Sequence, residues 1–162
     1  MKSAVVNRLP LLCYASDNDF DRLSVQSVIG RVFPEARLHL FSNAEDLLEW
    51  LGSQAPDGLP HIILVDFILP VLNGYHLPGQ IRHISGCEKI PMILLMEDLS
   101  MSPPAGMCLH GAGYSVRKSM SLDRMEKELV EAIVQICQTF HGTPSYWPLS
   151  TAGGVAASSP LR

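Results

Sequence analysis

In the stretch VDFILPVLNG, residues 65–74, one carboxylate, Asp66, closes an apolar run and is followed by Pro70, Asn73 and Gly74. Ile62, Ile63, Leu64 and Val65 are too few for a helix and too apolar for an exposed strand, so they predict a strand buried on both faces of a parallel sheet. Charge is costly inside such a sheet. At a strand's C-terminal end, however, the side chain can emerge into the crevice where open α/β sheets bind ligands. Asp66 is therefore a candidate site residue, and the competing role for it is a cap on the turn that follows.

Other chemistries find less support. Cys13, Cys87, Cys108 and Cys137 form no CxxC pair, as expected of reduced thiols rather than a disulfide framework or zinc site. The six histidines, at 39, 61, 76, 83, 110 and 141, make no HExxH pattern. A length of 162 residues gives one domain with a sizeable core, and a net charge of -4 leaves no electrostatic footprint for nucleic acid. No apolar run approaches the roughly 20 residues that span a bilayer, and MKSAVVNRLP lacks the apolar stretch of a signal peptide. The expectation is a cytoplasmic protein without membrane or nucleic-acid partners.

The elements that must position Asp66 alternate along the chain. Leu11 to Ala15 make a first strand, and a helix follows from about 18 to 32, burying Leu23, Val25, Val28, Ile29 and Val32. ARLHLF alternates as a second strand. Ser42 and Glu45 make a capping box for a helix carrying Leu47, Leu48 and Leu51, with Gly52 as its stop. After the strand ending at Asp66, residues 74–84 predict a third helix, with Pro78 early and Gly79 weakening it. PMILLM, 91–96, is a fourth strand. SPPAGMCLHG predicts a short or distorted helix, and YSVRK a fifth strand. Leu122, Met125, Leu129, Ile133, Ile136 and Phe140 recur at three and four in the last helix, with Ser121 as its N-cap. Residues 1–9 are a lead, 10–140 the domain, and 141–162 a flexible tail rich in Pro, Gly, Ser and Ala. Five β-α units in alternation imply an α/β domain: a parallel sheet covered by helices on both faces.

Three blocks within residues 10–140 resemble the receiver domain of two-component response regulators. YASDNDFDR looks like the family's first strand with its acidic pair, DFILPVLNG fits its D-x-x-x-P-x-x-N/D-G phosphoacceptor motif, and GAGYSVRK resembles its G-A-x-x-Y-x-x-K block. The resemblance implies a flavodoxin-like, doubly wound five-stranded sheet of order 2-1-3-4-5, with Asp17, Asp66 and Lys118 converging at its C-terminal edge. It also implies phosphoryl transfer from a histidine kinase or phosphotransfer protein to Asp66, with Lys118 contacting the phosphate. A magnesium ion (Mg2+) would be held by Asp17, Asp66 and the backbone carbonyl of Ile68. Carboxylates and water suit that cation.

The departures from the family pattern concentrate on metal and switch positions. The acidic pair is Ser16-Asp17 in the preferred register, or Ala15-Ser16 in the alternative, so one acid is missing and magnesium is expected to bind weakly. Met96 stands where the family carries a hydroxyl, and a thioether cannot donate that hydrogen bond. Ser115 occupies the switch aromatic's position, with Tyr114 one residue early, and Glu97 is placed where it could reach Lys118. Ser119 replaces the expected proline.

The function expected from the sequence is that of an atypical, stand-alone receiver. No enzymatic activity of its own is expected. Output would pass through a downstream protein or self-association, by the family's face of fourth helix, fifth strand and last helix. The alternative is a phosphorylation-independent module with a fixed binding surface. An enzyme on a flavodoxin-like fold would need a phosphate-cradling glycine loop, which follows none of the strands.

Overall fold

The apolar runs all become strands of one sheet. The computed structural model describes residues 10–70, 76–97, 114–118 and 121–139. Its strands are β1 (Leu11–Ala15), β2 (Arg37–Phe41), β3 (Ile62–Asp66), β4 (Met92–Met96) and β5 (Tyr114–Arg117). All neighbours pair in parallel, in the order β2-β1-β3-β4-β5. The three central strands are buried along their whole length, as runs without alternation require when both faces are covered. The edges β2 and β5 are partly exposed. This is the doubly wound, flavodoxin-like α/β architecture that the sequence implied.

The α-helices among the described residues are α1 (Asp19–Val32), α2 (Ala44–Ser53), α3 (Leu77–Arg82) and α4 (Leu122–Thr139). Alternate strand residues feed two cores. Leu12, Tyr14, Ile62, Leu64, Leu95 and Val116 pack beneath α1 and α4. Cys13, Ala15, Ile63, Val65, Leu94 and Met96 pack with α2 and α3. The period of two along each strand therefore decides which core a residue serves.

Several local expectations need correction. Leu23 is 63% exposed, because two residues before Val25 is about 200° round an α-helix from the buried stripe of Val25, Val28 and Ile29. Leu122 is likewise exposed, at the open first turn of α4, whereas Met125, Leu129, Ile133 and Ile136 are buried. The capping box at Ser42 does not form. Asn43 is the N-cap of α2, its Oδ1 accepting the Asp46 amide hydrogen at 2.7 Å, so the helix starts one residue later than expected. It also runs through Gly52 to Ser53. Of the third helix expected over 74–84, only 77–82 is helical among the described residues, with Pro78 in its first turn. Phe140, the lead, the tail and the distorted helix before β5 lie outside the described residues.

Candidate functional site

Parallel register brings the chemistry-bearing side chains to one end of the sheet. Tyr14 lies opposite Leu64 and Ala15 opposite Val65, so the chain leaves β1 with Ser16 level with Asp66. On the other side Asp66 pairs with Leu95, and Lys118 enters just beyond β5, its amide donating to the Met96 carbonyl at 2.7 Å. The turn from β1 into α1 is held by three bonds. The Asn18 amide donates to Ser16 Oγ at 3.2 Å, Arg22 Nη1 donates to the Ser16 carbonyl at 2.5 Å, and Asn18 caps the helix through the Asp21 amide at 3.1 Å.

At the centre, Lys118 Nζ donates to Asp66 Oδ2 at 2.8 Å and to Asp21 Oδ2 at 2.8 Å. The other oxygen of Asp66, Oδ1, accepts from the Tyr14 hydroxyl at 2.5 Å. Ser16 is level with Asp66, and its hydroxyl favours the ionised forms of both Asp66 and Tyr14. Asp66, Ser16 and Tyr14 have no exposed surface. Above them opens a cleft of about 210 Å3 lined by Asp17, Asp21, Phe67, Ile68, Glu97 and Lys118, among others. Asp66 thus sits under the cleft floor, and Lys118 connects it to the opening.

The electrostatics follow from that burial. Desolvation pushes the Asp66 carboxyl above its ordinary range, although Lys118 and the hydroxyls of Ser16 and Tyr14 oppose it. For Lys118 burial pulls the other way, but Asp66 and Asp21 outweigh it and hold the ammonium above its ordinary value. Burial, reinforced by the Asp66 charge, drives the Tyr14 phenol far upward, so it remains an O–H donor at physiological pH.

Of the residues singled out in the sequence, Asp66 and Lys118 are in direct contact, while Asp17, Ile68 and Glu97 share the cleft wall. Ser16, rather than Ala15, is level with Asp66; Ala15 is inside β1 and its core. Met96 is buried in the core under α2 and α3, on the sheet face opposite Tyr14. Ser115 is exposed, whereas Tyr114 packs towards the core beneath α1 and α4. The carboxylate that partners Lys118 besides Asp66 is Asp21, not the Glu97 suggested by sequence. Tyr14 and Asp21 are the two residues sequence reasoning missed. Asp21 carried a usable signal, since it falls four residues after Asp17 at the start of a helix. Tyr14 carried none beyond being a hydroxyl inside an otherwise apolar strand.

The carboxylates that line the cleft are those of Asp17, Asp21 and Glu97, with Ile68 beside them, oxygen donors of the hard kind that suits magnesium, while Asp66 lies beneath. Among the described residues no group of three or more His, Cys, Asp or Glu is arranged to hold a metal. Carboxylates of this kind are the ligands a largely hydrated magnesium ion takes. No helix among the described residues is long and apolar enough to cross a membrane.

Comparison with solved structures agrees with the topology. A response regulator of red-light signalling from R. palustris is 23% identical, with a TM-score of 0.65 over 85% of this chain and 97% of that one. The response regulator domain of Thermotoga maritima CheB is 18% identical, with a TM-score of 0.66 over 82% and 99%. The receiver domain of a Pseudomonas aeruginosa PAO1 sensor histidine kinase, solved with magnesium in its active-site cleft, is 18% identical, with a TM-score of 0.62 over 78% and 99%. No protein-family model and no curated protein matches the sequence. The chain has the fold of response-regulator receiver domains.

Proposed function

We propose that this chain is a receiver in two-component signalling, with Asp66 as phosphoryl acceptor and output by protein contact. The observation that carries this is the Asp66–Lys118 pair, 2.8 Å apart at the C-terminal edge of a receiver-type sheet beside an oxygen-lined cleft. A phosphohistidine on a sensor kinase or phosphotransfer protein would be the donor. An ionised Asp66 oxygen attacks phosphorus, the bond to the donor breaks, and the electron pair leaves with the donor nitrogen. Lys118 would follow the new phosphoryl oxygens, and its bond to Asp21 would steady the ammonium. Magnesium would be held by Asp17, Asp66 and the Ile68 carbonyl, and when bound it supplies charge neutralisation to the phosphoryl group.

A second role, a module with a fixed binding surface, is favoured by the burial of Asp66 and by Met96, whose thioether cannot donate a hydrogen bond to a phosphoryl oxygen. Mass spectrometry after incubation with magnesium and a small phosphodonor separates the two. Uptake by the wild type that Asp66→Asn abolishes supports the acceptor; absence of uptake assigns the chain to the fixed-surface role.

A further inference from the structure

Tyr14 has no counterpart among the roles assigned so far. Its ring belongs to the core beneath α1 and α4, yet its hydroxyl ends on the residue where phosphoryl transfer would begin. The register explains the reach. Tyr14 pairs with Leu64 and points to the same face as Asp66, two residues on, so the carboxylate is its diagonal neighbour, within range of an aromatic side chain. At 2.5 Å the contact has the length of a hydrogen bond to an ionised oxygen. It draws the carboxylate away from the cleft, and Asp66 has no exposed surface.

We propose that Tyr14 is a positioning residue that restrains Asp66, slowing phosphoryl uptake and shortening the life of the acyl phosphate. The inference rests on Asp66 being the acceptor. In uptake, an Asp66 oxygen forms a bond to phosphorus while the bond from phosphorus to the donor breaks. The carboxylate then becomes a neutral acyl group. A hydrogen bond to a charged oxygen is worth more than one to a neutral carbonyl, so the Tyr14 bond weakens as the product forms. In hydrolysis, water attacks phosphorus, its proton passes to solvent, and the bond between the Asp66 oxygen and phosphorus breaks with its electron pair returning to the carboxylate. The Tyr14 bond strengthens along that path and stabilises the leaving group, because it is stronger in the transition state than in the acyl phosphate. Both effects favour the unmodified protein, together by about tenfold in the equilibrium.

A buried phenol also needs a partner for its own sake, and a purely structural role makes a different forecast. The full-length wild type, Tyr14→Phe and Tyr14→Leu are incubated with magnesium and subsaturating acetyl phosphate. Phosphoryl occupancy is followed by intact-mass spectrometry, then its decay after donor removal, with folding checked by circular dichroism. Tyr14→Phe is expected to raise occupancy relative to unmodified protein by about tenfold and to lengthen the half-life of the phosphoryl group; Tyr14→Leu, matching the aliphatic residues of its strand, keeps the forecast open to test if Phe folds poorly. Loosened packing would shorten that half-life, so the direction itself discriminates. Equal occupancy and decay in folded variants and wild type overturn the role of Tyr14 and leave Asp66 as acceptor. No phosphoryl uptake by any of the three overturns the acceptor assignment and this inference with it.

Discussion

Replacing Lys118 by methionine should destabilise the protein far more than replacing Asp66 by asparagine. Among the described residues, Lys118 is the cation paired with a carboxylate that has no exposed surface, and its own side chain is 16% exposed. Removing it leaves Asp66, among the described residues, as a buried anion supported by hydroxyl donors. Breaking a buried pair in this way costs about 3–5 kcal/mol, and the hydroxyl of Tyr14 places this case near 3. Asp66→Asn removes the charge itself and leaves Lys118 paired with Asp21, so about 1 kcal/mol or less is expected. In Asp66→Asn/Lys118→Met the stranded charge is gone, and most of the single-mutant loss should be recovered. For a domain of this size about 3 kcal/mol lowers Tm by roughly 12 °C.

The loss should also depend on pH in a defined direction. Burial raises the Asp66 carboxyl above its unfolded value, so the folded protein binds that proton more tightly and stability falls as pH rises from about 3.9. Lys118 is the main influence opposing that shift, so the methionine variant should lose stability more steeply and approach the wild type again near about pH 4. In the wild type, the raised Lys118 contributes fully at neutral pH, and its contribution is lost only as pH rises beyond about 10.4. Thermal and urea unfolding of the four proteins at pH 7.5 and 4.5 measures the cycle. A Lys118→Met loss below about 1 kcal/mol at pH 7.5, or a double variant no better than Lys118→Met, would refute the reasoning.

Two further outcomes follow from the same geometry. Ser16→Asp should tighten magnesium binding in an isothermal titration, because it adds a carboxylate beside Asp17, and should lower metal-free stability, because Ser16 is fully buried; unchanged affinity would show that the missing acid is not limiting. Asn43→Ala should cost about 1 kcal/mol in urea unfolding while Ser42→Ala stays within about 0.5, since the α2 cap bond belongs to Asn43.

The sheet was legible because Ile62–Val65 and Met92–Leu95 are apolar without alternation, and that pattern admits little besides a doubly covered parallel sheet. The resemblance to receiver motifs implied that Asp66 and Lys118 converge at one edge, where they meet. Helix ends were harder: SNAED offers two adjacent cap residues, and side-chain hydrogen bonding chose Asn43 over Ser42. Leu23 was misplaced because an apolar residue in a helical segment does not reveal its angle to the core until the whole stripe is fixed. Tyr14 was invisible for a different reason. Its role depends on which residue lies diagonally across β1 and β3, and register between strands 50 residues apart is a tertiary fact.

The same spacing imposes a timetable during synthesis. Tyr14 precedes Asp66 by 52 residues, and Lys118 follows Asp66 by another 52. At about 5–20 residues per second the ribosome makes Asp66 roughly 3–10 s before the ammonium that will neutralise it. The phenol, by contrast, has already been synthesised when β3 leaves the ribosome. A neutral donor is therefore on hand to receive the carboxylate while its counter-ion does not yet exist, and the last strand to be translated brings the charge that closes the sheet edge.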